Sequence, residues 1–315
     1  MPQGSVLGPL LFLLYINDLH NSVCFATTNL FADDTMLFLE NNSLKSLTKK
    51  INIDLKRLMN WLNANKISLN STKTELLLYH PKHKPLNYDI KVKINGRRLL
   101  PSKCVKYLGV IIDPHLSWNH HIDFVCNKLK RANGALSKLR HFLSKETLVS
   151  LYYALFHSHL SYSVQVWGLR ENQQTRRILT LQKQALRLIT FSDYNSHSLP
   201  LFASLNILSF FDYIKYSNII FLHNCINHKL PSAVCKSINV TEITSKGRLH
   251  QKRTKSGLLR LPKVKTISYG NYSLTYQSVV AWNLLQHYLP VDDLSTININ
   301  RLKYLVKFYF LSSYI

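Results

Sequence analysis

Phe31-Ala32-Asp33-Asp34 places two adjacent carboxylates beside apolar residues. Two such groups confined in one site repel each other, and a divalent cation relieves that repulsion, so Asp33 and Asp34 point to metal-dependent chemistry. Ahead of them lie Pro2-Gln3-Gly4-Ser5, an apolar run from Val6 to Ile16 that contains Gly8-Pro9, and Tyr15-Ile16-Asn17-Asp18-Leu19. Elements must position these groups. Gln3-Gly4 predicts a turn into an apolar helix with Pro9 in its first turn, where a missing N–H costs little, ending near Asp18 to Asn21. Asn29 to Ala32 and Thr35 to Leu39 predict two short strands with the carboxylates at or near their bend. A helix and a hairpin tip would then meet at one surface.

The two blocks, in this order and at this spacing, resemble the second and third palm motifs of reverse transcriptases encoded by non-LTR retrotransposons, the LINE and jockey-like elements. Retroviral polymerases and group II intron maturases share Pro-Gln-Gly and the paired aspartates. The extension Leu7-Gly8-Pro9-Leu10-Leu11-Phe12 and Tyr15-Ile16-Asn17-Asp18-Leu19 is typical of the non-LTR group. Leu69-Asn70-Ser71-Thr72-Lys73-Thr74 resembles the fourth motif, and Tyr107-Leu108-Gly109-Val110 the fifth, the hairpin that holds the primer terminus. Tyr162 to Gly168 and Leu181 to Arg187 resemble helical segments that follow the palm. Arg253-Thr254, Leu261-Pro262 and Trp282-Asn283 through Leu289-Pro290 resemble a recurring C-terminal segment.

The resemblance implies an α+β fold: part of a right-hand polymerase palm (helix, β-hairpin, helix, strands) over 1–113, a helical thumb over 114–190, and a basic, mainly helical region over 191–315. It implies RNA-directed DNA polymerisation by two-metal nucleotidyl transfer with Mg²⁺ or Mn²⁺. Asp33 and Asp34 would be catalytic and bind metal, with Lys73 near the triphosphate as a proton donor. Pro2, Gln3, Gly4 and Phe31 would line the nucleotide and template; at Phe31 the wider superfamily more often has tyrosine. Tyr107, Leu108, Gly109 and Val110 would hold the primer end. The implied partners are an RNA template, a DNA primer and deoxynucleoside triphosphates, with no membrane. In this family a further metal-binding aspartate precedes the Pro-Gln-Gly turn, so the chain is expected to be the distal part of a polymerase, inactive alone. The alternative is a non-catalytic nucleic-acid-binding remnant of a decayed element.

Charge agrees with a polyanionic partner. The chain carries 40 Lys and Arg against 16 Asp and Glu, a net +24, and such a field attracts nucleic acid. Up to Asp113 there are 15 basic and 8 acidic residues; from Pro114 onward, 25 and 8. Most of the excess therefore lies beyond the hairpin region. Five cysteines, an odd number without close pairing, suit a reducing nuclear or cytoplasmic compartment rather than secretion. His223, Cys225, His228 and Cys235 match no standard zinc spacing and are expected to pack helices or face solvent. The run Val6 to Ile16 lacks a basic flank and is too short to span a bilayer.

Hydrophobic spacing supplies the remaining elements. Leu44, Leu47, Ile51, Leu55, Leu58 and Leu62 predict an amphipathic helix from Ser43, its N-cap, to about Ala64, with Lys45, Lys49, Lys56 and Arg57 facing solvent. Lys91 to Ile94 and the segment after Asn95-Gly96 predict a hairpin, and Tyr107 to Ile112 another strand. Ile122, Val125, Cys126, Leu129, Leu136 and Leu139 mark a helix carrying Lys128, Lys130, Arg131, Lys138 and Arg140. In a thumb such a basic helix tracks the primer–template backbone through phosphate contacts. Leu148, Leu151, Leu155 and Ile178, Leu181, Leu188 mark two more helices. Lys246 to Lys265 holds eight Lys and Arg and no acid, as a nucleic-acid-binding arm or an import signal. Tyr269, Tyr272, Tyr276 and Trp282 follow, either stacking on bases or filling a core.

Overall fold

The computed structural model describes residues 4–83, 90–238, 258–266, 269–289 and 294–314. The chain divides into two compact units, Met1–Ser117 and Trp118–Ile315. The first mixes helices with small antiparallel hairpins and the second is helical, so the fold class is α+β.

In the first unit, Gly4 takes φ +92° and the Ser5 hydroxyl accepts the Gly8 N–H at 3.1 Å, leading into α1 (Gly8–Ile16). This helix stops before the expected Asp18–Asn21, and a 3₁₀ turn covers Leu19–Ser22. The early stop lets Leu19 drop into a small core with Leu58 and Leu62. Strands β1 (Thr27–Phe31) and β2 (Asp34–Phe38) form the expected hairpin, and α2 (Leu44–Ala64) follows with Ser43 as its cap. Leu30 and Leu37 pack toward α2, whose Ile51, Leu55, Leu58 and Leu62 are buried. Asn95 and Gly96, both at positive φ, turn β3 (Val92–Ile94) into β4 (Arg97–Leu99) as the sequence predicts.

Tyr107 to Ile112, one strand by spacing and a hairpin by resemblance, comprises the end of β5 (Val105–Tyr107), a two-residue turn and β6 (Val110–Ile112). Leu108 at φ +45° and Gly109 at +82° reverse the chain in two residues.

The second unit begins with α3 (Asn119–Leu139), on which Ile122, Val125, Cys126, Leu129 and Leu136 are buried and Leu139 is half-buried. Next come α4 (Lys145–Leu151), a π-helical stretch Tyr152–His157, α5 (Ser158–Ser161) and α6 (Val164–Trp167). The wider π turn breaks the expected Leu148–Leu151–Leu155 stripe. Leu148 is buried but Leu155 is 38% exposed, and Tyr152, Phe156 and Leu160 point inward in its place. Helix α7 (Gln173–Thr190) starts at a capping box between Asn172 and Thr175 and buries Ile178, Leu181, Ala185, Leu186 and Ile189, while Leu188 is half-buried. Trp167 lies fully inside this core, stacked near Phe210.

Helices α8 (Ser198–Ser204), α9 (Phe210–Ile226), α10 (Ser232–Ile238), α11 (Leu274–Tyr288) and α12 (Ile299–Ser312) complete the chain. Trp282 is fully buried in a second core between α9, α11 and α12, which fixes its role as packing. Residues 246–257 of the basic stretch, Arg253-Thr254 and Pro290 lie outside the described residues.

Candidate functional site

The hairpin register pairs Phe31 with Asp34, leaving Ala32 and Asp33 as a two-residue loop. Asp33, Asp34 and Phe31 are all exposed. Strand alternation puts Asp34 and Phe31 on the outer face, away from Leu30 and Leu37. Ala32 sits at φ +50°, in the left-handed region that such a turn normally reserves for glycine. The tip thus holds two carboxylates side by side at a sharp reversal.

The base of this hairpin is held by a residue hidden in the helix that follows. Asp54 lies in the apolar stripe of α2 and is fully buried. Its carboxylate accepts the backbone N–H groups of Cys24 and Phe25 at 2.9 Å and of Ala26 at 2.7 Å, gripping the chain where it enters β1. Such charge-assisted bonds are short and strong. Two positions earlier, the Asn52 amide spans β3, donating to the Lys91 carbonyl and accepting from the Lys93 N–H, each at 2.9 Å. Neither residue stands out in the sequence; a carboxylate at a position that spacing assigns to the buried face was the available signal for Asp54.

Lys73 is exposed in a loop organised by Asn70, whose side-chain oxygen accepts the N–H groups of Thr72 and Lys73 and the Thr72 hydroxyl. Arg97 reaches the Ser71 carbonyl of the same loop at 3.5 Å. Tyr107, Leu108, Gly109 and Val110 form the β5–β6 turn, with Val110 buried. Just beyond, the buried Asp113 carboxylate accepts the His115 and Ser117 N–H groups. Burial, reinforced by this carboxylate, raises the Tyr79 phenol above its usual range. The hairpin tip, the Lys73 loop and this turn all belong to the first unit. Pro2 and Gln3 lie outside the described residues.

Among the described residues no group of three or more His, Cys, Asp or Glu side chains is placed to hold a metal ion. Asp33 and Asp34 are two adjacent carboxylates, fewer oxygen donors than a divalent cation takes. In the second unit, His223 bonds the Ile297 carbonyl at 2.9 Å and its ring lies near Trp282. Burial and the neighbouring Cys235 push the Cys225 thiol up to about 11.

The basic residues of α3 divide by environment. Lys130, Arg131 and Lys138 are exposed, whereas Lys128 lies over the Phe124 ring and Arg140 over Phe191, at 5.7 and 4.9 Å. Arg131 and Lys138 are seven residues apart and share one row of the helix; Lys130 lies a step around it. Arg177 of α7 pairs with Asp123 at 2.6 Å, and that bond raises its already high pKa. No helix among the described residues is long and apolar enough to cross a membrane.

Comparison with known proteins bears on residues 1–112, which match the family described as reverse transcriptase (RNA-dependent DNA polymerase). Over 228 residues the chain is 29% identical to the probable RNA-directed DNA polymerase from transposon X-element of Drosophila melanogaster, covering 68% of this chain and 24% of that protein. It is 26% identical over 203 residues to the RNA-directed DNA polymerase from mobile element jockey of the same organism, covering 60% and 22%. A type-1 retrotransposable element R1 2 Pol polyprotein of Nasonia vitripennis is 28% identical over 150 residues, 46% of this chain and 36% of that protein. The chain thus spans about a quarter of the length of the first two relatives. No solved structure matches it.

Proposed function

Since the chain belongs to the reverse transcriptases of jockey-like non-LTR mobile elements, we propose that it supplies the carboxylate-bearing hairpin, and the parts around it, of an RNA-directed DNA polymerase. The observation that carries this reading is the exposed Asp33-Asp34 pair at the tip of a hairpin whose entry is gripped by buried Asp54. The first unit is read as part of the palm, and α3 to α7 as the thumb.

Divalent cations, when bound, would neutralise charge at the primer hydroxyl and the departing pyrophosphate. Asp33 and Asp34 would hold them in concert with another carboxylate, since two side chains at a hairpin tip leave the donor set open. Lys73, on its Asn70-ordered loop, stands beside the triphosphate, where its ammonium steadies phosphate charge and gives a proton to the leaving pyrophosphate. Gly4 lines the path of the incoming nucleotide without a side chain, beside Pro2 and Gln3. The Leu108–Gly109 turn supports the primer end, and Lys130, Arg131 and Lys138 meet backbone phosphates without reading sequence.

The test is primer extension on an RNA template with Mg²⁺, by a fusion that joins the preceding segment of the X-element relative to this chain. Extension is expected from the fusion and loss of at least about a hundredfold on Asp33→Ala. A fusion whose activity survives that change would remove Asp33 from the catalytic centre. A second reading, nucleic-acid binding without catalysis, is favoured by the concentration of basic residues beyond Pro114; a fusion that binds template but never extends would favour it.

A further inference from the structure

Helix α12 carries an exposed surface that the polymerase reading leaves unused. Tyr304 and Phe308 stand one turn apart, 67% and 59% exposed, with ring centroids 6.2 Å apart and planes inclined by only 17°. Large apolar rings left in water are costly, and here two of them lie nearly parallel and more than half exposed. The opposite side of the helix, Leu302, Val306 and Phe310, is buried in the core with α9 and α11, so the exposed rings are not a misplaced core stripe.

Charge decides what covers them. The helix Ile299–Ser312 contains Arg301, Lys303 and Lys307 and no acidic residue. At 100° per residue, Arg301 falls on one flank of the ring pair and Lys307 and Lys303 on the other. Lys307 is half-buried, and burial lowers its pKa. Two flat faces between two cationic flanks suit a ligand made of planar rings on an anionic chain. An acidic protein would satisfy the cations and leave the rings idle, and a second copy of this helix would bring like charges together.

We propose that α12 is a stacking platform for single-stranded nucleic acid: bases lie on Tyr304 and Phe308, and phosphates are met by Arg301, Lys303 and Lys307. The site is sequence-tolerant, because every base offers a π face. It lies away from the hairpin carboxylates in the chain and acts by holding a strand, not by chemistry. The inference extends the nucleic-acid reading and rests on it only in the nature of the ligand.

The test uses the full chain and a fluorescently labelled 20-nucleotide oligo(U), with binding followed by anisotropy across a salt series. Tyr304→Ala with Phe308→Ala should weaken binding by at least about fivefold for each ring, with the slope of log affinity against log salt unchanged. Lys303→Gln with Lys307→Gln should instead flatten that slope by roughly two contacts. Phe308→Trp should keep the affinity, and its indole emission should quench when oligo(U) binds, a signature that loss of folding cannot mimic. Unchanged affinity in the double-alanine variant, or an indole that does not quench, would overturn the platform while leaving nucleic-acid binding elsewhere intact. Self-association lost on ring removal, or preference for vesicles of anionic lipid over oligo(U), would overturn it in favour of those occupants. A chain that binds no nucleic acid at low salt would sink both this and the wider nucleic-acid reading.

Discussion

The two units are held together by different means. The first has two small cores around α2 and relies on polar side chains that catch backbone: Asp54 at the entry to β1, Asn52 along β3, Asn70 in the Lys73 loop and Asp113 after β6. It also leaves apolar surface open, with Leu7, Leu10, Leu13 and Leu14 of the α1 region each more than half exposed. The second unit wraps helices around Trp167, Tyr152, Phe156 and Phe210, and around Trp282. Apolar packing fixes bulk and stability, whereas hydrogen-bonded clamps fix where a loop points. A hairpin that must present carboxylates to water has little apolar surface to hold it, so clamps carry that work.

That contrast can be broken most severely in the helical unit. Trp167→Ala should cost about 3–5 kcal/mol, because it empties a fully packed site and removes the indole N–H bond to the Tyr162 carbonyl. Urea unfolding followed by circular dichroism reads this as a lower midpoint; a cost under about 1 kcal/mol would show that the core is not what holds the unit. In the first unit the corresponding change is Asp54→Ala, expected to cost about 3 kcal/mol, since three part-buried backbone N–H groups lose a charged acceptor. Hydrogen exchange should speed up at Cys24, Phe25 and Ala26 ahead of the α2 amides. Uniform acceleration across the unit would mean Asp54 is ordinary packing and not a clamp.

Acid should separate the units by chemistry. Burial holds the imidazoles of His121 and His157 down at about 4, assisted at His157 by Lys307. Between that value and the ordinary pKa near 6.5 the unfolded chain binds more protons at these positions than the folded one, so their neutral burial favours folding above this range and stability falls as pH drops through it. Tyrosine and tryptophan fluorescence during acid titration of His121→Gln should show a shallower decline than the parent chain. The smallest effect concerns the turn: Ala32→Gly should relieve a left-handed alanine and stabilise the hairpin by about 1 kcal/mol. Destabilisation would mean that the turn gains something from its methyl group.

Legibility in the sequence followed the same division of forces. Period and turn chemistry are local, so α2 with its Ser43 cap, the Asp33-Asp34 hairpin and the Asn95-Gly96 turn could all be read directly. Trp282 as a core residue was one of two readings, and packing chose it. The π-helical stretch was not legible, because one extra residue per turn changes nothing in composition and shifts Leu155 outward without a mark. The β5–β6 reversal was legible only through the resemblance of Tyr107 to Val110 to a hairpin motif, because Leu108 accepts a positive φ that its type disfavours. Asp54 escaped since its partners lie 28 to 30 residues away, and spacing sees only neighbours.

Tyr314 gives the helical unit a direction in time. Its hydroxyl donates to Asp212 at 2.6 Å and accepts the Ser209 N–H at 3.0 Å, contacts spanning 102 and 105 residues, and its ring enters the core built by residues 122 to 214. During synthesis, α3 to α9 emerge and collapse while this contact is still inside the ribosome. Until the end of α12 is delivered their core lacks this ring and this hydroxyl, which makes a pause over the codons for residues 215 to 314 a window for aggregation and for chaperone capture.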